Sequence, residues 1–187
     1  MTSLTIETLP APVVLLGQAK TALRIRHTRD DVFLQGALDT AISYLDGPKG
    51  ILGKLLGPQA WIWTFGSFGT PLVLPIGPVT SVTSITYLDA AGVAQVLPSN
   101  TCYLVRSDDF DTISLVAGAA WPVTSVREDA ITVKFVGGLA PIPPRLTSAI
   151  LTVVAHLNEH RGMVDPLAGF ESGLSFSALI SDFRRYL

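Results

Sequence analysis

Five consecutive residues, His156-Leu157-Asn158-Glu159-His160, hold the most chemistry that residue type and spacing can offer in this chain. On a helix, histidines at i and i+4 share one face and can ligate a single zinc. Glu159 would then serve as general base to a metal-bound water, the pattern of an inverted zinc peptidase. Such a centre needs a third protein ligand. The acids that follow His160 are Asp165, Glu171 and Asp182, in what reads as loop and tail. The competing reading is a helix C-terminus at which His160 and Arg161 complement the macrodipole. A zinc metallohydrolase using His156, Glu159 and His160 therefore stands as the second reading of the chain.

The other candidates resolve into bland roles. Gly47 to Lys54 has the glycines and lysine of a phosphate loop, but the spacing is wrong and Leu55 stands where a Ser or Thr must reach magnesium. Asp108, Asp109 and Asp111 lack the glycine and closing glutamate of an EF-hand and read as a solvated hairpin tip. Cys102 has no histidine near it in sequence and reads as a small buried hydrophobe. Lys20, Arg24, Arg26 and Arg29 form a basic stripe that could touch DNA or an acidic partner, though such stripes are more often a solvated face. Trp61, Trp63 and Trp121 have no basic cluster beside them and read as core or interface anchors. No enzyme activity, cofactor or metal is expected.

The elements that position these residues follow from periodicity. Val13, Leu16, Ala19 and Leu23 recur at helical spacing from Pro12 to about Ile25, with Pro12 suited to a first turn. Thr28-Arg29-Asp30-Asp31 resembles a capping box ahead of a second helix, whose apolar rows include Leu34, Leu38 and Ile42; Gly47-Pro48 ends it. From Trp61 to Val136 the chain is rich in Val, Ile, Thr and aromatics cut by Pro, Gly and Asp. This predicts strands at 61–65, 82–88, 93–97, 103–105, 113–115 and 131–136, with a hairpin connection at Asp89 to Gly92. Leu146, Ile150, Val153 and Leu157 then predict a helix from Pro144 to Arg161, stopped by Gly162. Ser172 to Ser177 is a poor candidate for regular structure, and a short amphipathic segment runs from Ser177 to Tyr186.

This order is α+β: a small helical core of two N-terminal helices and one C-terminal helix, a central strand and hairpin region, and a C-terminal docking tail. Four stretches are expected: 1–58 as an N-terminal helical part, 59–138 as the β-rich region, 139–162 as the C-terminal helix packing on the N-terminal helices, and 163–187 as an extended tail ending in a short helix.

The chain's 187 residues are 48% hydrophobic but only 15% charged, against roughly 25% in an average soluble domain. Its net charge of -2 gives no general surface for nucleic-acid phosphates or an anionic membrane. One cysteine excludes an intrachain disulfide and fits a reducing compartment. Met1 to Leu16 has no basic start and is interrupted by Glu7, Pro10 and Pro12, so no secretory signal is expected. No apolar run approaches the roughly 18 residues of a spanning helix, and no membrane partner is expected. So few charges leave apolar or neutral surface to be buried against other copies or partners.

A set of short strings occurs in a characteristic order along nearly the whole chain. Leu23-Arg24-Ile25 is followed by the Asp30-Asp31 helix and by Gln59-Ala60-Trp61. Leu74-Pro75-Ile76-Gly77-Pro78-Val79 runs into Ser81 to Asp89 and Gly92, and then come Tyr103, Trp121-Pro122 and Val133 to Gly138. Pro144 opens the helix holding Val154 to Leu157 and Glu159-His160-Arg161, and Ser177 to Ile180 leads to Phe183-Arg184. In this order the chain resembles the head-tail connector, or adaptor, proteins of long-tailed bacteriophages and gene transfer agents.

The resemblance implies a non-enzymatic virion protein of the head-tail junction, assembled in the bacterial host cytoplasm. Copies would form a ring of about twelve under the portal protein and extend the DNA channel. They would meet a downstream stopper or tail-terminator protein, with DNA passing non-specifically through the lumen. The terminal segment is too short to be a stable helix alone and must dock, on its own domain or on a partner. The resemblance favours the portal: Leu179, Ile180 and Phe183 would enter an apolar groove, and Arg184 and Arg185, with Tyr186 beside them, would meet acidic or carbonyl groups.

Overall fold

Trp61, Trp63 and Phe65 alternate with Ile62 and Thr64, and this period of two buries every second side chain of strand β2, Gln59–Phe65. The computed structural model of the chain describes residues 2–10, 12–107, 110–161 and 174–185. Strand β8, Ile131–Gly137, repeats the alternation with Ile131, Val133 and Phe135 inward. It pairs antiparallel with β2, placing Trp61 opposite Phe135 and Trp63 opposite Val133. Such aromatic and β-branched pairs are what stabilises neighbouring strands. On the other side of β8 lies β4, Val79–Leu88, which turns through Asp89 to Gly92 into β5, Ala94–Val96. The Asp89 carboxylate accepts the Ala91 and Val93 N–H groups and so fixes that turn. A second antiparallel sheet has the order β3, Leu72–Val73, then β7, Thr112–Leu115, then β6, Cys102–Val105.

The first sheet has a strand within the stretch that the sequence assigns to the N-terminal helical part. Strand β1, Ser3–Thr8, pairs antiparallel with β2, completing the order β1-β2-β8-β4-β5. Six residues of Ser, Thr, Leu, Ile and Glu have little apolar content of their own, and it is the open edge of β2 that makes them a strand. Glu7 on β1 is paired with Lys134 of β8.

The chain divides into two compact units, Met1–Ala11 with Gly57–Gly138 and Pro12–Leu56 with Leu139–Leu187. The first holds both sheets. The second is helical: α1, Leu16–Ala22; α2, Asp31–Leu45; α3, Pro144–Glu159; and α4, Leu174–Ile180, followed by a 3-10 turn at Ser181–Phe183. Its core joins Leu34, Leu38, Ala41 and Leu45 of α2 to Leu146, Ile150, Val153 and Leu157 of α3. The fold is α+β, and among the described residues no helix is long and apolar enough to cross a membrane.

Three helix boundaries differ from the sequence expectation. The first helix starts at Leu16 rather than at Pro12, and it ends because Arg24 takes a left-handed backbone, φ 57°. The expected capping box at Thr28 to Asp31 does not form; Asp30 is the N-cap without a side-chain cap, since Asp31 is engaged by Lys20 at 2.5 Å. Ser172 to Ser177 reads as irregular in sequence, yet helix begins at Leu174. Burial of Phe176, whose ring stacks 6.5 Å from that of Tyr44, outweighs the weak propensity of the serines around it.

Candidate functional site

The last turn of α3 brings His156 and His160 together with ring centroids 4.2 Å apart. Their use is local. The backbone N–H of His160 donates to the His156 carbonyl at 3.0 Å, and His160 Nδ1 lies 2.9 Å from the same oxygen, closing the end of the helix. Glu159 is exposed. The Arg161 guanidinium stands 4.2 Å above the Phe33 ring and 3.3 Å from Asp30, fastening the end of α3 to the start of α2. This holds the Asp30 carboxyl below its ordinary range, through the Arg161 hydrogen bond first. Among the described residues no group of three His, Cys, Asp or Glu side chains could hold a metal ion. Asp165 and Glu171 lie outside the described residues, and Asp182 pairs with Arg145. The arrangement terminates a helix and joins two helices.

Of the acidic trio, one residue has a described place. Asp108 and Asp109 lie outside the described residues, while Asp111 is 5% exposed and works inside the β unit. Its Oδ2 accepts the Val79 N–H at 2.6 Å, its Oδ1 the Ser107 N–H at 3.2 Å, and its carbonyl the Leu74 N–H at 2.9 Å. Burial pushes the half-buried Cys102 thiol up, away from a reactive thiolate. Trp61 and Trp63 are buried, and Trp121 stacks on Phe68 at 4.4 Å, so the tryptophans form part of the packing of the β unit. Gly47 to Lys54 folds into turns closed by a Gly47 N–H to Lys54 carbonyl bond, with Leu52 buried in the helical core.

The C-terminal segment is the remaining candidate. Helix α4 packs on α3, with Phe176 and Ile180 each 1% exposed in the helical core. Leu179 and Phe183 are half-buried against the same core, and Arg184 is half-buried with its N–H bonded to the Ile180 carbonyl. The Arg185 N–H donates to the Leu52 carbonyl at 2.9 Å. These five expected contact residues are thus gathered on their own helical unit; Tyr186 lies outside the described residues.

A residue that sequence reasoning does not single out clamps them. Arg145 reaches Asp182 at 2.5 Å and the Ala178 carbonyl, and stands 5.6 Å from the Phe183 ring centre. The arginine also holds the Asp182 carboxyl below its ordinary range. A signal was present: a cation in the first turn of α3 opposes the helix dipole and needs another partner to hold it.

No family model and no curated protein matches the chain. Solved structures do. A chain in the neck of an empty gene transfer agent particle, computed with C6 symmetry, is 21% identical with a TM-score of 0.79, covering 99% of this chain and 96% of that one. A chain of the virion of a native gene transfer agent particle is 22% identical with a TM-score of 0.76, covering 98% and 96%. A chain from the neck of the native particle, computed with C12 symmetry, is 22% identical with a TM-score of 0.68 over the same shares. At this identity the likeness establishes the fold, across essentially the full length of both chains.

Proposed function

We propose that this chain is a structural head-tail connector, or adaptor, subunit of a bacteriophage or gene transfer agent particle. The observation that carries the reading is the end-to-end fold likeness to chains of a gene transfer agent neck. Copies form a ring of about twelve beneath the portal protein, extend the DNA channel, and present a surface to a downstream stopper or tail-terminator protein. DNA passes through the lumen without sequence recognition, and the protein carries out no reaction. It resides at the head-tail junction of the virion after assembly in the bacterial host cytoplasm. A low charge content supports this, because a ring subunit must cover lateral faces as well as its two ends.

The portal contact falls to the C-terminal segment, through Leu179, Ile180, Phe183, Arg184, Arg185 and Tyr186. In the free subunit this segment rests on α3, so engagement requires it to peel away and uncover Ile180. That uncovering costs about 2 kcal/mol from the apolar area returned to water, which an apolar portal groove restores. Loss of the chain should leave DNA-filled heads and finished tails unjoined; joined particles in its absence contradict the proposal. A photoreactive residue in place of Arg184 should cross-link to the portal in DNA-filled heads. Cross-links confined to the subunit itself would make the segment a structural strap only.

A further inference from the structure

The turn between α1 and α2 places Arg24, Arg26, His27 and Arg29 within six residues, all exposed. Of the acids next to them, Asp31 is engaged by Lys20 at 2.5 Å, and Asp30 by Arg161 at 3.3 Å and by His27 of the turn itself at 3.8 Å. Arg29 acts on Asp30 only as a nearby charge. Among the described residues Arg24, Arg26 and Arg29 make no side-chain hydrogen bond or ion pair. The turn alternates: Leu23 and Ile25 pack on the helical core, and the arginines are exposed.

Backbone conformation adds an independent observation. Helix α1 ends in a Schellman motif, with the Ile25 N–H bonded to the Lys20 carbonyl at 2.9 Å and the Arg24 N–H to the Thr21 carbonyl at 3.2 Å. Arg24 occupies the left-handed position that such ends ordinarily give to glycine. Among the described residues it is the only non-glycine with positive φ. Side chains are uncommon in this conformation, and the one held there is exposed.

We infer that this arginine turn is a phosphate-contacting surface for duplex DNA. Guanidinium forks match phosphate oxygens, and contacts to the DNA backbone need charge rather than shape. The turn directs both of its own apolar side chains inward, so the face between α1 and α2 is cationic, and the exposed Val32 lies beyond it on α2. That the polyanion is DNA rests on the proposed channel function; the affinity for phosphate rests on the turn itself. Contacts of this kind hold DNA without fixing its register and let it slide.

The test is binding of the full chain to a short DNA duplex at low salt, followed by fluorescence anisotropy. The variant Arg24→Gln, Arg26→Gln, Arg29→Gln should bind about tenfold more weakly or worse. Its slope of log affinity against log salt should fall by roughly 3, near one for each phosphate no longer neutralised, with unchanged melting. Arg24→Gly should bind the duplex more weakly and yet melt at a higher temperature, separating the role of the side chain from that of the fold. Absence of binding by the native chain, or equal affinity of the triple variant, overturns the inference. Equal or tighter binding to poly-L-glutamate does so too, in favour of an acidic protein surface. None of these outcomes touches the connector reading, which stands or falls on the presence of the chain in particles.

Discussion

Asp111 connects three stretches of the β unit by accepting N–H groups from Val79 and Ser107 through its carboxylate and from Leu74 through its carbonyl. Asp111→Ala leaves the Val79 N–H buried without an acceptor and should cost about 1–3 kcal/mol, read as a lower denaturation midpoint. Asp111→Asn keeps an oxygen there and should lose less; equal midpoints for Asp111→Ala and the native chain would contradict this role. Gly138 illustrates a different constraint. At φ 125° its position leaves no room for a Cβ beside the Gly57 carbonyl, so Gly138→Ala should prevent normal closure of β2 against β8. The histidine pair behaves oppositely. Glu159→Ala and His160→Ala should change stability by no more than about 1 kcal/mol, the scale of helix-end interactions, and added zinc should not raise the melting temperature. From sequence, one acidic run offered Asp108, Asp109 and Asp111 as equals. Burial of one of them depends on a partner strand 32 residues away, which no local pattern reveals.

Among the elements, β2, β8 and α3 were legible because each shows its own period, two or 3.6, over enough residues to be unambiguous. Strand β1 and the first turn of α4 were not, because each is short and takes its structure from what it packs on; the amphipathic pattern showed only that a short helical segment follows Ser177. Helix α4 depends on Phe176 and Ile180 for that packing. Ile180→Ala should lower stability by about 2–5 kcal/mol, whereas Arg184→Glu should leave the melting curve close to native and weaken attachment to heads. A melting curve unchanged by Ile180→Ala would show that α4 does not dock. The clamp on this segment also has a pH dependence. Because Arg145 depresses the Asp182 carboxyl in the folded chain, its contribution is present above the ordinary value of 3.8 and is lost as pH falls through the lower folded value. Hydrogen exchange in α4 should therefore quicken relative to α3 in that acidic window; a fixed ratio would assign no role to the ion pair.

For the whole molecule, low charge and the ordered strings of residues carried the reading, and the geometry adds where the apolar surface lies. Val32, Val96, Val123 and Val126 are each more than two-thirds exposed, and they come from both units. Apolar side chains left outside in this way are surface that the proposed ring would cover with neighbouring subunits. Which neighbour meets which face is absent from a single sequence, because an interface belongs to two surfaces and only one is written there. The most direct test is cryo-electron microscopy of purified mature particles carrying this chain. A ring of about twelve copies should occupy the neck beneath the portal, with density for the two sheets and for α2 and α3 in each subunit. Particles in which the chain is absent, or lies elsewhere than the neck, would contradict the account.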